Sequence, residues 1–253
     1  MDLIAEIETV DHGFLDGRLR ILQPRDGYRA ATDPVMMAAA MPVKAGAHVL
    51  DVGCGVGTAA LCLGYRVTDL DLHGIEIQPD YAALARENAH RCGQKIEVHQ
   101  GDVTDMPDSV RHASFDAVMT NPPWHEPLSV ASPNQGRDTA NRLANISLTD
   151  WVMAASSRVK SGGWFVIIQR VTALPEILAA LSPKMGDIAV LPLQSRKDRD
   201  AGRVIVKARK SARGPFRLAP PLVLHSGPSH VQDRDDFSPA ARAILRDGAA
   251  LDF

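Results

Sequence analysis

Val49-Leu50-Asp51-Val52 runs without interruption into Gly53-Cys54-Gly55-Val56-Gly57-Thr58 and then into Ala59-Ala60-Leu61. A β-branched run that ends in a glycine-rich turn and opens a helix belongs to a parallel α/β sheet, and the glycines let a ligand approach the backbone closely. The same alternation continues downstream. Short apolar runs predict strands at 48–53, 73–77, 95–101, 115–120, 164–169, 188–193 and 203–208; helical periodicity predicts helices at 58–64, 80–91, 148–160 and 175–181. Ser147 and Thr149 are candidate caps of the third helix, which is expected to stop before Gly162-Gly163.

With 253 residues, 45% of them apolar and 23% charged, the chain can bury one full core but not two, so one domain with appendages is expected. Residues 1–47 form a lid-like leader: a hairpin at 13–22 around Asp16-Gly17, a polar turn, and a small-residue helix at 34–41. The core is expected at 48–210. A C-terminal extension, 211–253, carries Pro220-Pro221 and closes on Ser238-Pro239-Ala240-Ala241, where Ser caps a last helix and Pro takes its first position. No apolar run approaches the roughly 20 residues of a membrane span. The first residues, Met1-Asp2-Leu3-Ile4-Ala5-Glu6, lack the basic start of an export signal, which points to the cytoplasm. Cys54, Cys62 and Cys92 are odd in number and contain no Cys-x-x-Cys pair, against both a disulfide framework and a zinc site; no metal is expected.

The glycine turn is not a dinucleotide fingerprint, because Thr58 stands where the third glycine would be and Asp51 at its mouth would repel a pyrophosphate. No Gly-Lys-Ser/Thr follows, which removes the P-loop. A carboxylate here suits a cationic ligand. Glu76 ends the second core strand, 25 residues after Asp51, and Asp102 ends the third. One such acid is usually a cap or a solvated turn; three at successive strand ends beside a glycine turn point to one ligand. At the end of the fourth strand stands Asn121-Pro122-Pro123-Trp124, which taken alone reads as a turn.

Asp51-x-Gly53-x-Gly55-x-Gly57 resembles the first motif of the S-adenosylmethionine-dependent methyltransferases. Asn121-Pro122-Pro123-Trp124 resembles the Asn/Asp-Pro-Pro-aromatic motif of those that modify exocyclic or amide nitrogens. The resemblance implies a Rossmann-like, seven-stranded sheet, mostly parallel with the last strand antiparallel, and helices on both faces. It implies S-adenosylmethionine as cofactor, with S-adenosylhomocysteine as product, Glu76 on the ribose hydroxyls and Asp102 on the adenine amino group. The chemistry accounts for the motif. An aromatic amino group is a poor nucleophile while its lone pair is delocalised, and two acceptors aimed at its N–H bonds favour the tetrahedral form. The Asn121 side-chain oxygen and the Pro122 carbonyl can supply them, preorganised by Pro122-Pro123, while Trp124 offers a face for an extruded base. The methylated amine is acidic enough to lose its proton to water, and His125 is read as a loop histidine rather than a base.

Residues 23–40 are similar to the leader of the bacterial tRNA adenine-N6 methyltransferases that act beside the anticodon of a valine tRNA, and the resemblance extends from Leu15 to the final helix. It implies that Gln23, Gly27 and Asp33 close the cofactor pocket, Asp33 reaching the methionyl ammonium or capping the next helix. It also implies that the loop 134–142 meets substrate, with Arg137 and Arg142 on phosphates. Trp124-His125 is also similar to the Phe-His of guanine-N2 rRNA methyltransferases, and glutamine methyltransferases share the central motif, so both substrates remain open as alternatives. Charge bears on the choice. Residues 1–120 hold 10 basic and 18 acidic side chains, residues 121–253 hold 18 and 12, and 196–217 alone contains nine Lys and Arg. Such a stretch is either a polyanion contact or a solvated strand face. Alternation puts Val204, Val206 and Ala208 on one face and Arg203, Lys207 and Arg209 on the other; these three with Lys210 are the expected RNA contacts. The expected partner is RNA, tRNA first. A non-catalytic RNA-binding module on the same scaffold is the reading from a different class, and S-adenosylmethionine binding separates the two.

Overall fold

Residues 7–27, 29–123, 146–181, 184–227 and 236–253 are described by the computed structural model. The leader begins with the hairpin β1 (Thr9–Phe14) and β2 (Leu19–Pro24), followed by α1 (Thr32–Ala39). The main sheet then forms from β3 (His48–Val52), β4 (Asp71–Glu76), β5 (Ile96–Gln100), β6 (Phe115–Thr120), β7 (Val159–Arg170), β8 (Met185–Gln194) and β9 (Ala201–Lys210). Their spatial order is β8-β9-β7-β6-β3-β4-β5. Every neighbouring pair is parallel except those of β9, which is antiparallel to both β7 and β8. This is the expected Rossmann-like architecture, with one addition. The C-terminal segment contributes β10 (Arg217–Leu218) and β11 (Leu222–Val223), both paired in parallel with β8, so the sheet has nine strands among the described residues.

The helices are α2 (Thr58–Arg66), α3 (Pro79–Arg91), α4 (Asp108–Arg111), α5 (Leu148–Ser157), α6 (Leu174–Leu181) and α7 (Pro239–Asp247). Two apolar clusters pack against opposite faces of the sheet. The hairpin, α1, α2, α3 and α7 supply one, and α4, α5 and α6 the other. Central strands are therefore buried on both sides, which is why they read as near-continuous apolar runs. Strand order reverses between β3 and β6, and the crevice opened there at the carboxyl ends is where such sheets bind ligands. Two buried amides fasten the leader over it. Asn88 of α3 pairs with both backbone groups of Leu22 (2.8 and 2.9 Å) and donates to the Val56 carbonyl in the glycine turn (3.0 Å), tying hairpin, helix and turn together. Gln23 does the same for Ala30 (3.2 and 2.7 Å).

The third core helix ends at Ser157, not at 160, and β7 starts at Val159, before Gly162-Gly163. A bulge is the reason: Phe115 pairs with Val159 but Ala117 pairs with Trp164, so the glycines lie within the strand rather than ahead of it. Caps fall where expected, Ser147 accepting from Asp150 N on α5 and Ser238 from Ala241 N on α7. No helix among the described residues is long and apolar enough to cross a membrane, and Cys54, Cys62 and Cys92 are free thiols.

Candidate active site

Gly53 and Gly55 turn the chain out of β3 with φ of +72° and +57°, a region side chains disfavour. A Cβ on Gly53 would meet the Trp151 ring at 2.8 Å, whereas one on Gly55 would meet nothing within 4 Å. Gly55 thus borders open space. Gly57 serves packing instead. As N-cap of α2 it holds a left-handed φ of +86° against Ala85 of α3, and it lines neither cavity at the site.

The larger cavity, about 260 Å³, lies at the carboxyl ends of the strands between Gly53, Gly55, Glu76, Asp102, Asn121 and Trp151. A smaller one, about 40 Å³, shares the walls Gly53, Gly55, Tyr81 and Asn121 and reaches in to Gln23 and Asp51. Asp51 is 2% exposed, and its Oδ2 has no hydrogen-bond partner. Burial pushes its carboxyl up to about 7; the Ala60 amide opposes this and the Glu76 charge adds to it. Glu76 is held at both oxygens, Oε2 accepting from Gly55 N and Oε1 from Gln78 N, each at 2.9 Å. Its own pKa is raised, by burial first, with the Gln78, Gly55 and Ile77 amides pulling it down. Asp102 Oδ1 accepts from Thr104 N and Thr104 Oγ1, both at 2.8 Å, which fixes its carboxylate at the cavity wall.

Asn121, Pro122 and Pro123 all line the larger cavity. Two buried networks hold this segment. Thr120 Oγ1 donates to the Val52 carbonyl (2.8 Å) and accepts from Trp151 Nε1 (2.9 Å), locking the ends of β3 and β6 to α5. Gln169, at the end of β7, donates Nε2–H to the Pro122 carbonyl (2.9 Å) while its Oε1 accepts from Arg170 N (2.8 Å). Sequence reasoning missed Gln169, Thr120, Trp151, Tyr81 and Asn88. The first two had a signal, since each is a polar residue closing an apolar strand at the carboxyl edge.

Other sequence expectations are corrected. Asp33 does not cap α1, whose N-cap is Ala31; it pairs instead with Arg203 Nε at 3.0 Å, and both line the cavity. Gln23 lines the smaller cavity and bonds Ala30, whereas Gly27 lines neither and touches the site only through Tyr81, whose Oη is 3.0 Å from its Cβ position. The anticipated basic face of β9 is closed at its middle, while Arg209 stays exposed. Lys207 is 7% exposed, with its ammonium 4.3 Å from the centroid of the Phe253 ring, so the C-terminal segment covers it. Arg209 donates to the Gly162 carbonyl, and Lys210 to those of Ser157 and Val159. Because β9 runs antiparallel, Arg203 lies beside Arg170 at the cavity end, while Arg209 and Lys210 lie roughly 20 Å away at the other end of the sheet. Trp124, His125, Arg137 and Arg142 fall outside the described residues.

The model of the methyltransferase small domain matches residues 33–190. The chain belongs to this family. Its cofactor is S-adenosylmethionine, and the small-domain methyltransferase has the groups to receive it: a buried, unpartnered carboxylate oxygen at Asp51 for a cation, a cradle at Gly55 open to a ligand, and preset carboxylates at Glu76 and Asp102 for hydroxyl and amino donors. Among its curated relatives, the tRNA1(Val) (adenine(37)-N6)-methyltransferase of Yersinia enterocolitica is 28% identical over 159 residues, 62% of each chain. That of Yersinia pseudotuberculosis is 27% identical over the same share. The methyltransferase thus matches less than two thirds of the length of these relatives. In fold it resembles a predicted O-methyltransferase from Agrobacterium tumefaciens, with a TM-score of 0.67, 24% identity, and coverage of 87% of this chain and 98% of that one. A methyltransferase from Pyrococcus furiosus gives 0.54 at 13% identity, covering 77% and 90%.

Proposed function

We propose that the protein transfers a methyl group to the exocyclic N6 of an adenine in structured RNA, with tRNA as the substrate. The observation that carries this reading is Asn121-Pro122-Pro123 at the rim of the cofactor cavity, its Pro122 carbonyl fixed by Gln169. The names of the Yersinia relatives favour adenine in tRNA over guanine or glutamine. A cytoplasmic location belongs to the same reading, as does a single catalytic domain over 48–210 with the leader and C-terminal segment as its flanks.

S-adenosylmethionine supplies an electrophilic methyl group when bound. Asp51 takes a cationic part of the cofactor, Glu76 the ribose hydroxyls and Asp102 the adenine amino group, while Gly53 and Gly55 keep the backbone clear. The Asn121 side-chain oxygen and the Pro122 carbonyl accept from the two N–H bonds of the target amino group, biasing its nitrogen toward the tetrahedral form. Gln169 occupies one lone pair of the Pro122 carbonyl and leaves the other aimed by a fixed peptide plane. Trp124 supplies the stacking face. Arg170 and Arg203 at the cavity, with exposed Lys197 and Arg199 in the turn between β8 and β9, form the phosphate contact at this end of the sheet; Arg137 and Arg142 are assigned to phosphates by the sequence alone. The test is transfer of labelled methyl to unmodified bulk tRNA, bulk rRNA and a protein extract, followed by nucleoside mass spectrometry. N6-methyladenosine in tRNA is the expected product; N2-methylguanosine in rRNA, or label in protein alone, refutes the substrate.

A further inference from the structure

At the amino ends of β3 and β4, away from the cofactor cavity, His48, Asp71 and His73 share one face of the sheet. His48 and Asp71 are direct partners in the register, and His73 follows two residues on. His48 Nε2 lies 2.6 Å from Asp71 Oδ2, and His73 Nε2 lies 3.2 Å from Asp71 Oδ1. One ligand atom from each residue lies within 4.8 Å of the others.

The protons around His73 decide what this cluster can do. Its Nδ1 is 3.2 Å from His99 Nε2, and His99 Nδ1 is 3.1 Å from Ser109 Oγ on α4. Its Nε2 is buried and makes no hydrogen bond, although a carboxylate oxygen stands beside it. A ligating His73 Nε2 needs His73 Nδ1–H to donate to His99 Nε2 and His99 Nδ1–H to donate to Ser109, which both distances allow. That order leaves a bare lone pair on His73 Nε2 facing a carboxylate. The two repel unless a cation lies between them. The reverse order would put a proton on His73 Nε2, 3.2 Å from Asp71 Oδ1, in the place a metal ion would take. A nitrogen or oxygen ligand sits roughly 2.0–2.2 Å from a divalent zinc, which separates tetrahedral ligands by roughly 3.3 Å. The two contacts to Asp71 need only small side-chain shifts to reach that spacing.

We propose that His48, Asp71 and His73 bind a divalent first-row transition metal, zinc being the representative ion, with at least one coordination position left to water. The donor set, two imidazoles and a carboxylate, is one that zinc accepts. The His73–His99–Ser109 relay is the outer-shell arrangement that orients a ligating imidazole. A second triad, His73, Glu97 and His99, would have to use His73 Nδ1, the atom committed to the relay. The cysteine count that argued against zinc is silent on a site assembled from residues on separate strands.

The test is calorimetric titration of the purified, chelator-treated protein with Zn²⁺, with Co²⁺ absorption reporting coordination. One equivalent is expected to bind. His48→Ala and Asp71→Ala, both at half-exposed positions, are each expected to weaken Zn²⁺ by more than the roughly 10–100-fold that loss of an outer-shell partner costs. Glu97→Gln is expected to leave the affinity unchanged. Melting in the presence of chelator verifies that each variant folds. Absence of stoichiometric binding, binding that survives His48→Ala and Asp71→Ala, or binding lost only in Glu97→Gln overturns the site.

Discussion

Replacing Asp51 by Asn removes one proton-binding group from the base of the cofactor site and keeps its shape. The ordinary carboxyl value of 3.8 is raised to about 7 here because the side chain is wholly buried. At about 1.36 kcal/mol per tenfold change in proton affinity, that rise corresponds to about 4 kcal/mol. The sign follows from proton counting. Between pH 4 and pH 7 the folded protein holds a proton that the unfolded chain has released, so stability falls as pH rises through this window. The amide of the variant titrates nowhere and escapes the loss; Glu76, also raised by burial, titrates in both proteins and largely cancels in the difference. Urea denaturation without cofactor at pH 4, 6 and 8 is therefore expected to give near-equal stability at pH 4 and a variant more stable by about 4 kcal/mol at pH 8. S-adenosylmethionine at pH 8 should erase much of that advantage, since its cation neutralises Asp51 and has nothing to neutralise in the variant. A difference between the two proteins that does not change with pH would refute the placement of an ionisable, cation-seeking carboxyl at the turn.

The remaining predictions concern the Asn-Pro-Pro segment, its support and the basic stretch. Asn121→Ala is expected to lower kcat on the order of 10²-fold, and Gln169→Leu roughly 10-fold by loosening the Pro122 carbonyl, with the S-adenosylmethionine Kd unchanged in both; single-turnover kinetics beside calorimetry separates the effects, and parallel losses of cofactor affinity would contradict them. Thr120→Val leaves the Trp151 indole N–H buried without its acceptor and should cost about 1–3 kcal/mol in urea denaturation. An unaltered midpoint would mean that the network contributes nothing to stability. Lys197→Glu with Arg199→Glu is expected to weaken tRNA binding and to reduce the salt slope of log K by about 2. Lys207→Glu should instead destabilise the fold, by placing an acid under Phe253, while leaving tRNA affinity of the folded protein intact; the opposite pattern would restore the basic strand as an RNA surface.

Local chemistry makes much of this legible in the sequence. Strands β3, β6 and β9, the glycine turn, and the caps Ser147 and Ser238 depend on short-range rules of pleat, turn and hydrogen bonding. The acids at the strand ends and Asn121-Pro122-Pro123 fall at one cavity because a parallel sheet sends every strand end to the same edge. What escapes is whatever depends on a distant partner. The partner of Gln169, the Pro122 carbonyl, is set only once β7 lies beside β6, and those of Asn88 only once α3 meets the hairpin. The start of β7 departs from expectation because Gly162-Gly163 signals a break in sequence but forms a bulge in the sheet.

Lys207 shows the same limit from another side. Alternation assigns it correctly to the face shared by Arg203 and Arg209, but periodicity tells which residues share a face and nothing of what covers it. Phe253, from 46 positions further along the chain, does. The direction of β9 then divides the basic stretch into two jobs. Its first residues return to the crevice, where Arg203 meets Asp33 and stands beside Arg170. Its last residues reach the opposite end, where Arg209 and Lys210 donate to carbonyls around the β7 bulge. A single antiparallel strand thus turns one run of positive charge into a group that can meet a polyanion and a group that holds the sheet together. Charge reversal at the two ends is therefore expected to yield different phenotypes, one in binding and one in stability.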